Sequence, residues 1–175
     1  MATQPLTTYL NDHLAGSVAA LELLEHLIER HADMPWAGSL TELRGEIEED
    51  QTSLRDLLQR LGEAESATKK TLGWLSEKLG VARRTLSPGY EPELAMLEDL
   101  EALALGIQGK LGLWRALAVV APAPPALRGL DLVQLQQRAR SQYERVEALR
   151  LDVAKVVLGG ASSGMAETGT KVGQA

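Results

Sequence analysis

The sequence predicts an all-α chain folded as a four-helix bundle, and three observations carry that prediction. Leu occurs 32 times and Ala 23 times in 175 residues, so two helix-favouring types fill nearly a third of the chain. Phe is absent and all aromatics together make 3%, which leaves few of the bulky residues that strands prefer. Along four long segments, apolar residues recur at alternating spacings of three and four, the signature of a single buried helix face.

The first helix is expected from about Pro5, a residue suited to a first helical turn, to about Ala32. Its stripe is Leu10, Leu14, Ser17, Leu21, Leu24 and Ile28, and Met34-Pro35-Trp36-Ala37-Gly38 breaks it. Ser39 followed by Glu42 reads as a capping box opening the second helix. That helix carries Leu40, Leu43, Ile47, Asp50, Leu54, Leu57 and Leu61, and Gly62 stops it. A third helix is expected from about Pro92 to before Pro122, striped by Leu97, Leu100, Ala104, Ile107, Leu111, Trp114 and Ala118. Asp131 with Gln134 repeats the capping logic for a fourth, striped by Leu135, Ala139, Gln142, Val146, Leu149, Val153 and Val156.

Helices of about 22 to 28 residues span roughly 33–42 Å and pack most simply as a bundle. The first two are joined by a short turn, and the last two by about a dozen residues. Between the second and third lie some 30 residues with an amphipathic segment (Leu72, Leu75, Leu79). A link of that size can run the length of the bundle, so the third helix is expected to run parallel to the second. Residues 1–160 are expected to form the bundle domain, and the Gly-, Ser- and Thr-rich residues 161–175 a disordered tail.

Composition narrows the function classes. Eighteen basic against 24 acidic residues give a net charge of −6, which argues against a nucleic-acid binder. The absence of Cys excludes disulfides, Cys-ligated zinc, iron–sulfur clusters and thiol nucleophiles. No secretory signal is visible at the start, and the most apolar stretch, Leu111 to Leu127, is interrupted by Arg115 and three prolines. A soluble, cytoplasmic protein without a membrane role is the expectation.

Two helical hairpins joined by one long crossover resemble the ferritin-like superfamily over roughly residues 5 to 158. Metal-handling members place a Glu on each of two helices and Glu-x-x-His on the other two. Here His13, His26 and His31 all fall on the first helix, and Glu-x-x-His is absent. Each helix instead carries Glu-x-x-Glu: Glu22/Glu25, Glu46/Glu49, Glu98/Glu101 and Glu144/Glu147. None of these lies on a seam, which suits solvated faces paired with Arg and Lys better than ligands. No metal site and no cofactor are expected.

Asp50 interrupts an otherwise apolar stripe, and a buried carboxylate must be paired or hydrogen-bonded. In an antiparallel hairpin it falls level with Ser17 to Leu21, with His13 as a possible partner; Gln108 and Gln142 fall level across the second hairpin. These five residues are the candidate polar core, read either as a pocket for a small ligand or ion or as a layer that fixes register. The register reading predicts that Asp50→Leu is tolerated. Gly106, Gly109 and Gly112 surround Lys110, but the phosphate-loop pattern fails because Leu111 stands where Ser or Thr must follow Lys; close approach of a neighbouring helix is the expected use. Lys69, Lys70, Lys78, Arg83 and Arg84, beside Trp74, make a basic candidate partner surface. Leu23, Leu27, Leu58, Leu103 and Leu105 lie off or beside the seams and suggest a homodimer face.

The functional expectation is therefore a non-catalytic helical bundle acting through protein or small-ligand binding. A carboxylate-bound divalent-metal enzyme or carrier, and a regulatory adaptor using the basic crossover, are the competing readings.

Overall fold

A computed structural model describes residues 4–62, 91–121 and 124–159. Among them are four long helices: α1 (Gln4–Arg30), α2 (Ala37–Arg60), α3 (Pro92–Val120) and α4 (Leu132–Leu158). One turn of 3-10 helix, Pro125–Leu127, lies in the α3–α4 connection. The predicted all-α, four-helix architecture is what the chain adopts, with no strand among the described residues.

The helix ends follow local chemistry. Gly62 closes α2 at φ +77°, in the left-handed region that a side chain disfavours. Pro92 opens α3, where its missing N–H costs nothing. The Asp131 carboxylate accepts the Gln134 N–H at 2.9 Å and caps α4 as expected. The expected box at Ser39 does not form. α2 already starts at Ala37, because Trp36 adopts helical dihedrals and its carbonyl accepts from both Ser39 and Leu40. Trp36 is held there by packing on the second core cluster and against the His31 ring, 5.3 Å away between centroids.

Two apolar clusters fix the helix directions. One joins Leu10 and Leu14 of α1, Leu54 to Leu58 of α2, Leu111 to Leu117 of α3, and Leu132 to Ala139 of α4. The other joins Leu24 and Leu27, Leu40 to Ile47, Met96 to Ile107, and Val146. α1 and α4 thus run from the first cluster to the second, while α2 and α3 run the other way, parallel to each other. α3 packs most extensively on α4, and α1 on α2 and α3.

The surplus leucines are redistributed. Leu27, Leu58 and Leu103 are core residues, Leu23 is half-buried, and only Leu105 stands out in solvent at 66% exposure. The buried arc on a bundle helix is wider than a strict two-position seam, so three of the five residues offered for a dimer face are consumed inside. α3 is long and apolar enough by composition to cross a membrane; its apolar side chains fall both inside, as at Leu100 and Ile107, and outside, as at Leu105 and Val119.

The α3 glycines do not seat a neighbour. A Cβ added at Gly106, Gly109 or Gly112 would meet nothing within 4 Å among the described residues, so the expected close helix contact is not what they provide there. Mid-helix Gly costs about 1 kcal/mol relative to Ala. Gly112→Ala, at an exposed position, should raise the unfolding free energy by about 0.5–1 kcal/mol in denaturant titration.

Candidate functional site

Between the two clusters each helix contributes one polar residue at a stripe position: Ser17 of α1, Asp50 of α2, Lys110 of α3 and Gln142 of α4. Leu14 and Leu24 bracket Ser17, Ile47 and Leu54 bracket Asp50, Ile107 and Leu111 bracket Lys110, and Ala139 and Val146 bracket Gln142. The result is a polar layer across the middle of the bundle.

Asp50 is its centre, with a side chain 2% exposed. One carboxylate oxygen accepts from the Lys110 ammonium at 2.6 Å and from the Gln142 amide at 3.2 Å. The other accepts from the Arg138 guanidinium. Gln142, fully buried, takes a further hydrogen bond from Lys110 on its carbonyl and donates to Glu46 at 3.1 Å. Arg138 also reaches Glu49 at 2.7 Å, and Arg145 reaches Glu46. α2 and α4 are therefore joined by long charged side chains rather than by close backbone packing.

The charges close. Asp50, Glu46 and Glu49 carry three negative charges, and Lys110, Arg138 and Arg145 carry three positive ones. Burial pulls the Lys110 ammonium below the ordinary lysine range, because desolvation penalises its charge; the facing Asp50 carboxylate opposes that shift.

The sequence-predicted residues divide accordingly. Asp50 and Gln142 meet directly. Ser17 joins the layer through Gln51, whose amide donates to its hydroxyl at 2.9 Å; this fixes the α1–α2 register where the hairpin argument puts it. His13 lies in the same region, but the partners of Asp50 are Lys110, Arg138 and Gln142. The His13 ring packs edge-on against Tyr9, 4.7 Å between centroids, and burial lowers its pKa despite Asp12 beside it. Gln108 is a correction: it is exposed, because it stands on the opposite side of α3 from Lys110. Lys69, Lys70, Trp74 and Lys78 lie outside the described residues, as do Arg83, Arg84 and the leucines between them.

Sequence reasoning missed Lys110 and Arg138, although the signal for Lys110 is present. A second α3 stripe, Met96, Leu100, Leu103, Ile107, Lys110, Trp114 and Leu117, alternates four and three throughout and is interrupted only at Lys110. Apart from Lys110, every member of it is buried.

A cavity of about 800 Å³ opens beside the layer between α1 and α3. Small residues create it: Gly16 and Ala20 on α1 face Ala102, Gly106 and Gly109 on α3. Asp50, Gln51 and Lys110 are also in its lining, and Tyr9, His13 and Leu105 line it as well. Trp114, 1% exposed, is among the residues lining it, and its buried indole N–H has no hydrogen-bond partner among the described residues.

Among the described residues, no three His, Asp or Glu side chains converge where they could hold a metal ion. Four of the eight Glu-x-x-Glu carboxylates turn instead to arginines: Glu46 to Arg145, Glu49 to Arg138, and Glu101 and Glu147 to Arg150. No family model matches the sequence, and neither a curated protein nor a solved structure matches the chain.

Proposed function

We propose that this chain is a non-catalytic, ferritin-like bundle that works by holding a small ligand in the cleft between α1 and α3. The cavity carries the reading. Its volume falls within the roughly 300–1,000 Å³ typical of small-molecule sites, and mostly apolar walls with a few polar groups are the usual composition of such sites. The common direction of α2 and α3 supports a ferritin-like plan, in which a long crossover joins two hairpins. Arginine pairing of the carboxylates favours binding over the metal-dependent alternative.

The test uses an uncharged apolar fluorophore, N-phenyl-1-naphthylamine. The full chain should bind it with about one-to-one stoichiometry and enhanced emission. Gly109→Leu, at a cleft-lining position where an added Cβ meets nothing within 4 Å among the described residues, should weaken binding at least about tenfold while helicity is retained. Absence of binding, or binding unchanged by Gly109→Leu, contradicts the reading.

A further inference from the structure

We infer that the cleft is a slot for one extended hydrocarbon chain, carried by an uncharged, lipid-like molecule lying along the helix axes; this rests on the small-ligand reading above. Length comes first. α1 and α3 run in opposite directions, and both place lining residues level with the first cluster and level with the second. On α1 the lining extends from Tyr9 to Leu23, and on α3 from Trp114 back to Ala102. At about 1.5 Å of rise per residue these spans are roughly 21 and 18 Å. The two helices thus give nearly one length, that of an extended chain of about 14 carbons at roughly 1.3 Å per methylene.

Shape and charge come second. Gly16 and Ala20 stand four apart on α1, and Ala102, Gly106 and Gly109 stand four and three apart on α3. Each helix therefore lines the cleft with a strip that lacks bulk. A Cβ added at Gly16, Gly106 or Gly109 would meet nothing within 4 Å among the described residues, so the gap is open along the strip rather than at one point. In the lining, the Asp50 carboxylate and the Lys110 ammonium are paired with each other at 2.6 Å. His13 is also there, and burial lowers its pKa, which favours the neutral ring. Asp12 is acidic and exposed. A carboxylate head thus finds no free cation among these lining groups and meets Asp12, whereas an uncharged chain needs no partner.

Primary alcohols of six to twelve carbons measure the slot in calorimetric titrations of the full chain. Affinity should rise about threefold with each added methylene throughout the series, because each further CH₂ enters apolar lining. 1-Dodecanol should bind at least about threefold more tightly than dodecanoate. Gly106→Leu, placed about 12 Å along α3 from Trp114, should end the rise at about nine carbons and leave 1-hexanol affinity unchanged. The wild-type series decides the length whether or not that variant folds. A wild-type rise that stops by about eight carbons, tighter binding of dodecanoate, or a rise that Gly106→Leu leaves intact overturns the inference. If the fluorophore still binds and Gly109→Leu still releases it, the inference alone falls. If neither the alcohols nor the fluorophore binds, the small-ligand reading falls as well, and a dimeric native mass would then put a second copy of the chain on this face.

Discussion

Asp50→Leu should destabilise the bundle by about 3–5 kcal/mol, the cost of leaving buried charges without their partner. A register device alone would tolerate Leu, since the α2 stripe then becomes continuous from Leu40 to Leu61. The structure points the other way. Asp50 holds the Lys110 ammonium, whose side chain is 13% exposed, together with Arg138 and Gln142. Removing the carboxylate strands a desolvated ammonium beside an amide and a guanidinium. Equilibrium urea unfolding of Asp50→Leu measures the loss directly. A loss under about 1 kcal/mol would mean that water solvates the layer freely.

Trp114→Ala should cost a comparable amount, about 3–5 kcal/mol, for a different reason. Trp114 is among the largest fully buried side chains and packs in the first cluster with leucines from the other helices. Truncation removes a large apolar surface and joins its empty volume to the existing cleft. Trp114→Phe keeps most of the packing and removes the unsatisfied N–H, so it should lose much less. Thermal and urea unfolding of the two variants distinguish packing from polarity. Equal losses would show that the indole N–H has a partner that matters.

The fold was legible because helix periodicity is a local property. The stripes placed all four helices, and Gly62, Pro92 and Asp131 marked ends within a residue or two of their observed positions. Asp50 and Gln142 were legible as interruptions of clean stripes. Ser39 misled because Trp36, held by tertiary packing, begins α2 earlier than capping chemistry alone would. Gln108 misled because α3 is apolar on several sides, so two seams can be drawn through it and only packing selects the one that carries Lys110. Arg138 left no trace of its own, since an arginine just off a seam looks solvated until a buried carboxylate is found opposite it. The cleft was invisible for a related reason: the small residues Gly106, Gly109 and Gly112 read as contact, and spacing along a chain does not reveal how far apart two helices stand.

The most direct test of the polar layer is a double-mutant cycle on Asp50 and Lys110, using Asp50→Leu, Lys110→Met and the double variant in urea unfolding. Residues that share a buried charge pair are energetically coupled, whereas independent ones add within about 0.5 kcal/mol. The account predicts a coupling of about 2 kcal/mol or more, with the double variant more stable than Asp50→Leu alone because no stranded ammonium remains. Simple additivity of the two losses would contradict it.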